Sequence, residues 1–507
     1  STSNPSVATV SATGASAVVT TVAGGTATIT VTTQDGGKTA ICLVTVAMSA
    51  QWIRVPTGGV SYSTFASVAV DDGGNVYAAG LINGQSVYNF GNSISVAGGS
   101  AATNLVLVKY DPSGAAKWAR SVTPGPGASA FTSVATDAAG NIFAVGTISG
   151  TGSFGFGNSV VAAGAYGFGT NLVLVKYDAT GAAKWARTVL SGISPSAYSS
   201  VSTDSAGNIY AAGTISGGSY DFGSGIGASG TTASGQTAML VKYNPNGIAQ
   251  WAQGTLTGSG ETAFNAVTAN ATDYVYAAGY ITGSSTYGFG NAVSLTGKSG
   301  QDAMLVQYNT NGMARWARTS TGNSNSTFNA LAATATGTVF AAGSLSGHTA
   351  NGFGIGINVT GSYADGANAL LLKYDPNGTA LWGVTPVSAT GLSHFSGVAL
   401  DAAGSLYVVG ALAGPGPYDF GNSMVASTLS SENQILLAHF DPAGQCHSVE
   451  TANASTSASA FASVVTDSAA HVYACGAVNG TSPIDFGNTA IVTPASSMGN
   501  GVLVRYQ

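Results

Sequence analysis

An aromatic residue followed three positions later by Val or Leu recurs at Phe65, Phe131, Tyr198, Phe264, Phe328, Phe395 and Phe461. The intervals are 66, 67, 66, 64, 67 and 66 residues. A fixed period of this kind means that the chain repeats one supersecondary unit, each copy burying its apolar face against the next. Within each copy an Asp/Gly turn leads into a strand such as NVYAAGLI (75–82) or NIYAAGTI (208–215). A long Gly-rich connection follows, marked by a Phe-Gly pair at Phe90, Phe156, Phe222, Phe289, Phe353, Phe420 and Phe486. A strand like LVLVKYD, a second turn and a strand like KWARSV complete the unit.

Four β-branched and aromatic strands separated by turn chemistry, with no helical apolar period, predict an all-β fold. DDGGN (71–75) and DPSG (111–114) suit tight hairpins, because Gly and Asn accept positive φ and Asp bonds its own turn backbone. Four-stranded units repeated in this way predict a seven-bladed β-propeller over residues 49–507. The six tryptophans test the count. Trp52, Trp118, Trp185, Trp251, Trp316 and Trp382 all fall on the fourth strand, as structural residues of the blades. Trp52 precedes the first complete unit, and the seventh unit ends at VLVRYQ (502–507) without a fourth strand. The strand QWIRV (51–55) is therefore expected to complete the last blade and close the ring, removing two open sheet edges. Ser448 replaces the tryptophan of the sixth unit.

The unit F-x-x-V-x-x-D-x-x-G-N-x-Y-x-x-G … FGN … VLVKYD-x-x-G-x-x-x-W resembles the SBBP family of seven-bladed propeller repeats, over roughly residues 51–507. That resemblance implies a secreted or surface protein of bacteria and carries no shared activity. Residues 1–48 differ. NPSVATVSATG … VVTTVAGGTATITVTTQDGGKTAICLVTV resembles the second half of a bacterial immunoglobulin-like domain of group 2, a partial β-sandwich. In TATITVTT the strict alternation places Ala27, Ile29 and Val31 on one face, and QDGGK (34–38) is a hairpin turn. The early strands of that family are missing, which leaves an apolar face and open edges to satisfy. Another copy of the chain, residues upstream of this numbering, or the propeller itself would cover them. The first of these implies self-association through the N-terminal domain by strand addition.

Composition narrows the function. Only 7% of residues are charged, the formal charge is −6, and glycine numbers 72. A Ser/Thr/Gly-rich, Lys-poor chain of this kind suits an extracellular β protein, and an acidic balance argues against nucleic acid. No apolar run is long enough for a membrane span. The chain opens without a basic and apolar leader, so a secretion signal is expected to lie outside this numbering. Cys42, Cys446 and Cys475 have no metal or redox spacing and read as small buried apolar residues.

No catalytic constellation emerges. Twelve of the twenty carboxylates fall in repeating turn positions, and the others, among them Glu261, Asp273, Asp302, Glu432 and Glu450, form no paired spacing. The five histidines show no metal spacing, and neither a cofactor nor a metal is expected. Twelve of fourteen basic residues are periodic, and those beside the tryptophans read as edge-strand charges that discourage aggregation. A basic ring binding a ligand is the alternative. Tyr62, Tyr166, Phe168 and Tyr363 lie on long loops outside the repeat pattern and are candidate stacking residues for sugar rings. The reading is a non-enzymatic extracellular bacterial protein, a surface or filament-forming structural or adhesive component. A carbohydrate-binding module is the second reading, and a polysaccharide-degrading enzyme the third.

Overall fold

The computed structural model describes residues 1–507 except 4, 6, 14, 15, 22, 23, 47, 60, 233, 234, 271–273, 299, 453–456, 488 and 489. Asp273 therefore lies outside the described residues. Among the described residues every regular element is a β-strand. Among the described residues no helix is long and apolar enough to cross a membrane.

Seven four-stranded antiparallel sheets are formed by the described residues, one for each sequence repeat. In the first, Ser63–Val70, Val76–Asn83, Thr103–Tyr110 and Ala116–Arg120 pair in chain order. The seventh orders Ser459–Thr466, Val472–Val478, Asn500–Tyr506 and Ala50–Arg54, so a strand from near the start of the chain completes it. Trp52 lies opposite Arg505 there, as Trp118 lies opposite Lys109 in the first sheet. The expected closing strand is thus present, one residue earlier than 51–55.

The first strands of successive sheets touch one another, and that of the seventh touches that of the first. Small residues at this position let the backbones approach and also supply acceptors. Ser67 Oγ accepts the Val134 N–H at 3.2 Å, and Ser133 Oγ accepts that of Val201 at 3.2 Å. Ser463 Oγ accepts the Val68 N–H at 3.4 Å, which ties the last sheet to the first. The apolar cores lie between neighbouring sheets, one holding Tyr77, Leu105 and Leu107 of the first against Phe131, Val134 and Ile142 of the second. In the second strand a Cβ on Gly80 would stand 2.0 Å from the Thr64 carbonyl oxygen, so only glycine fits beside the bulge at Phe65–Ser67.

The long connection is more ordered than its composition suggests. In the first sheet it forms a short pair, Val87–Asn89 with Ser95–Ala97, turning at Phe90-Gly91-Asn92. The Asn92 side chain donates to the Ala116 carbonyl at 3.0 Å, and Phe90 packs on Phe65 with ring centroids 6.3 Å apart. The two aromatic landmarks of the repeat are therefore contact partners.

Ahead of the sheets lie two separate hairpins. Ala8–Thr13 pairs with Ser16–Thr21, and Gly25–Thr32 pairs with Thr39–Val46. Residues 1–3 run along the free edge of Gly25–Thr32, through Ser3 N–H to the Thr28 carbonyl at 2.9 Å. Both strands of the second hairpin touch Cys446–Glu450, the outer strand of the sixth sheet. The alternation holds for Ala27 and Ile29, which are buried, but Val31 is exposed. Ala27 packs with Val7 and Ala8, whereas Val31 lies beyond the reach of that small cluster.

Candidate interaction surface

The repeated carboxylates are consumed by their own turns. Asp71 Oδ1 accepts the N–H groups of Gly73 and Asn75 at 3.0 and 2.8 Å, and its Oδ2 accepts the Tyr77 hydroxyl at 2.8 Å. Asp111 does the same at the second turn and pairs with Lys117 at 2.8 Å. Lys117 and Ser113 hold the Asp111 carboxyl well below the usual carboxylate range. Among the described residues no group of three or more His, Cys, Asp or Glu gathers to hold a metal ion.

Lys117, Lys184 and Arg315 stand exposed on outer strands, as edge charges are expected to, but the four arginines that follow the tryptophans by two residues do not. Arg54, Arg120, Arg187 and Arg318 each reach the second turn of the next sheet, about one repeat further on. Arg120 donates from Nε to the Gly181 carbonyl at 2.7 Å and from Nη2 to the Thr180 carbonyl at 3.1 Å. Its guanidinium carbon stands 5.2 Å from the Trp118 ring centroid. Trp118 in turn lies under Gly181 and donates to the Ala179 carbonyl at 3.2 Å. Lys109 donates to that same carbonyl at 3.3 Å while resting over the Tyr77 ring. Lysine, tryptophan and arginine thus form one clasp on the neighbouring turn. A basic ring open to a ligand is equally overturned, since Lys176, Lys242, Lys373 and Arg505 make the same contact.

The clasp explains Ser448. It would have to grip the second turn of the seventh sheet, and that turn does not exist, because Ala50–Arg54 supplies the fourth strand. In its place Ser49 and Gln507 exchange backbone hydrogen bonds at 3.0 and 3.1 Å. All three clasp positions of the sixth sheet differ accordingly: His439 for lysine, Ser448 for tryptophan and Glu450 for arginine. His439 stacks on Tyr407 at 4.8 Å, and neither ring nitrogen has a hydrogen-bond partner among the described residues. Burial, with His447 nearby, pushes its pKa down to about 4. Burial pushes Glu450 up to about 7, against the Met48 N–H that donates to it.

The four loop aromatics do not converge. Tyr166 and Tyr363 occupy equivalent loops of the second and fifth sheets, each held by an asparagine side chain, Asn171 and Asn368. Tyr62 precedes the first sheet and presents its carbonyl to the Tyr88 hydroxyl at 3.2 Å. Only Tyr166 and Phe168 touch, edge to face at 6.2 Å, and Phe168 is 95% exposed. Of the cysteines, Cys446 and Cys475 are buried, as expected, but Cys42 is exposed.

The N-terminal hairpins depart most from the repeat, because they leave large apolar side chains in solvent. On Thr39–Val46, Ile41 is 75% and Leu43 68% exposed, and on Ser16–Thr21 Val18 is 56% exposed. Each of these strands has one partner among the described residues and one open edge. Sequence patterning pointed to this segment, but not to the two separate hairpins.

No protein-family model and no curated protein matches the chain. Among solved structures, a phage phi92 endosialidase is similar at 10% identity and a TM-score of 0.38, covering 94% of this chain and 71% of that one. A fungal alcohol oxidase of the AA5 family, in complex with copper, is similar at 11% identity and a TM-score of 0.30. That match covers 73% of this chain and 72% of the oxidase.

Proposed function

We propose that the chain is a seven-bladed β-propeller displayed outside a bacterial cell. In this reading it is a non-enzymatic structural or adhesive protein that assembles through its N-terminal hairpins. The cyclic contacts of the seven sheets and the closing strand Ala50–Arg54 support the propeller. The observation that carries the assembly is the N-terminal face itself, where Ile41 and Leu43 stand in solvent beside an open strand edge. Open edges with exposed apolar side chains are templates for pairing with another chain. The partner is a second copy, and repetition of the contact yields a filament or sheet. Electron microscopy of the full chain is expected to show such assemblies, and the Ile41→Asp, Leu43→Asp double variant only dispersed monomers. Dispersed monomers from the unaltered chain overturn the reading.

The Tyr166–Phe168 pair favours carbohydrate binding as a second function, because an exposed ring braced by another aromatic suits stacking on a sugar. Glycan-array binding that disappears in Phe168→Ala supports it. Binding unchanged by that substitution removes the pair from consideration.

A further inference from the structure

Four seams between sheets carry the arginine clasp, and the seam between the fifth and sixth sheets has every part of it except the arginine. Arg54, Arg120, Arg187 and Arg318 stand 5.0–5.3 Å from the ring centroids of the tryptophans two residues earlier. Each donates from Nε to the carbonyl of the turn glycine, at 2.5–2.7 Å. Each donates from Nη2 to the carbonyl before that glycine, at 3.0–3.2 Å. Nη1 closes on the carbonyl preceding the arginine itself.

In the fifth sheet the chain reads Trp382-Gly383-Val384. Trp382 and Lys373 still donate to the Pro442 carbonyl, at 3.2 and 2.7 Å, so the turn sits where the clasp expects it. The carbonyls of Ala443 and Gly444 are counterparts of the arginine's acceptors, and the residue in the arginine's register is Val384, which cannot donate. Gly114, Gly181, Gly247 and Gly378 are buried under their arginines, whereas Gly444 is half-buried. The groove beside Gly444 and Val384 has a volume of about 720 Å³, against about 350 Å³ for the equivalent groove bordered by Arg187. Ser362 lines the larger groove, and its hydroxyl is buried without a hydrogen-bond partner among the described residues. At the third seam, where Gln253 replaces arginine, the turn glycine Gly312 stays buried, and the groove beside Gly254 and Thr255 has a volume of about 510 Å³.

We infer that the groove between the fifth and sixth sheets is a binding site for a guanidinium group, presented as the arginine side chain of another polypeptide. Two successive carbonyls and the face of Trp382 match a planar fork that stacks and donates at once. An ammonium group is a compact point charge and satisfies only part of this set. The inference is independent of assembly through the N-terminal hairpins, which lie against the outer strand of the sixth sheet rather than in this groove. One source lies in the chain itself. Arg315 is exposed, and among the described residues its guanidinium contacts the Tyr274 ring without a hydrogen bond.

Calorimetric titration of the full chain with acetyl-arginine amide and with acetyl-lysine amide tests the site. Saturable binding of the arginine amide is expected, about tenfold tighter than that of the lysine amide. Val384→Arg supplies the missing side chain in place, so it is expected to abolish binding and to raise the melting temperature. If that variant fails to fold, Val384→Lys decides, because a fixed ammonium repels the ligand and weakens binding by about tenfold or more. Equal affinity for the two amides, no binding, or binding unchanged in a folded Val384 variant overturns the inference. Sedimentation in the Ile41→Asp, Leu43→Asp background, where the N-terminal contact is broken, separates the sources. Residual dimerisation there that is lost in both Arg315→Ala and Val384→Arg assigns the arginine to a second copy, and no dimerisation in that background assigns it to a different protein.

Discussion

A charged side chain on an outer strand is worth little when it faces only water, and the clasp arginines do not face only water. Arg120 holds two carbonyls of the next sheet and the face of Trp118. Arg120→Ala is expected to cost about 1–3 kcal/mol in urea unfolding, since it leaves a stacked ring bare and two acceptors unpaired. Arg120→Lys is expected to recover only a minor part, because an ammonium cannot bridge the two carbonyls while it stacks. Periodicity revealed twelve recurring basic residues without their purpose. A repeat states which positions correspond, while the partners of the clasp arginines lie in the neighbouring sheet, about sixty residues away. Glu450 offers a second test at this scale. Its carboxyl is raised from 4.5 to about 7 by burial, so the folded chain holds this proton more tightly than the unfolded one. The stability it contributes is full below about pH 4.5 and is lost as the pH rises toward 7. Glu450→Gln is therefore expected to match the parent at pH 4.5 and to exceed it at pH 8, by no more than about 3 kcal/mol. His439 opposes this on the acid side, because its pKa is depressed and stability falls as the pH drops from 6.5 toward 4. A Glu450→Gln profile parallel to that of the parent removes Glu450 as the source.

At the scale of elements, the four strands of each sheet and the closing strand were legible because β-branched runs, turn residues and tryptophans recur together. The pairing inside the long connection was not legible. Val87–Asn89 and Ser95–Ala97 are three residues each, too short for an alternating pattern to stand out. Ser448 shows the same limit in another form. The sequence marks it as an exception, but its cause is a turn missing from the adjacent sheet, which only the pairing of Asn500–Tyr506 with Ala50–Arg54 reveals. That pairing makes a prediction. A chain of residues 48–507 keeps the seventh sheet complete and is expected to unfold at nearly the temperature of the full chain. A chain of residues 56–507 exposes the edge of Asn500–Tyr506 and leaves the turn at Pro112 without Trp52. It is expected to melt earlier and to aggregate on size exclusion, as open edges do. Equal melting of the two chains would show that Ala50–Arg54 contributes nothing to the stability of the seventh sheet.

For the whole molecule, the distribution of charge decides how the proposed assembly should respond to salt. Except for Arg315, the body carries its periodic basic groups as internal clasps and turn partners, and the formal charge is −6 over 507 residues. The exposed hairpin strand, TAICLVTV at Thr39–Val46, has no charged side chain at all. Its open edge offers backbone donors and acceptors, flanked by Ile41 and Leu43. Pairing along such an edge draws on backbone hydrogen bonds and apolar burial, neither of which is screened by ions. The assembled fraction, followed by sedimentation velocity, is therefore expected to change less than about twofold between about 50 and 500 mM sodium chloride. Placing a charge on that strand should reverse this. Leu43→Lys puts like charges close together wherever two copies pair, so assembly of this variant should fail at low salt and recover in part as salt screens the repulsion. A steep loss of assembly with salt in the unaltered chain would place the contact on charged surfaces instead, and the N-terminal edge would no longer account for it.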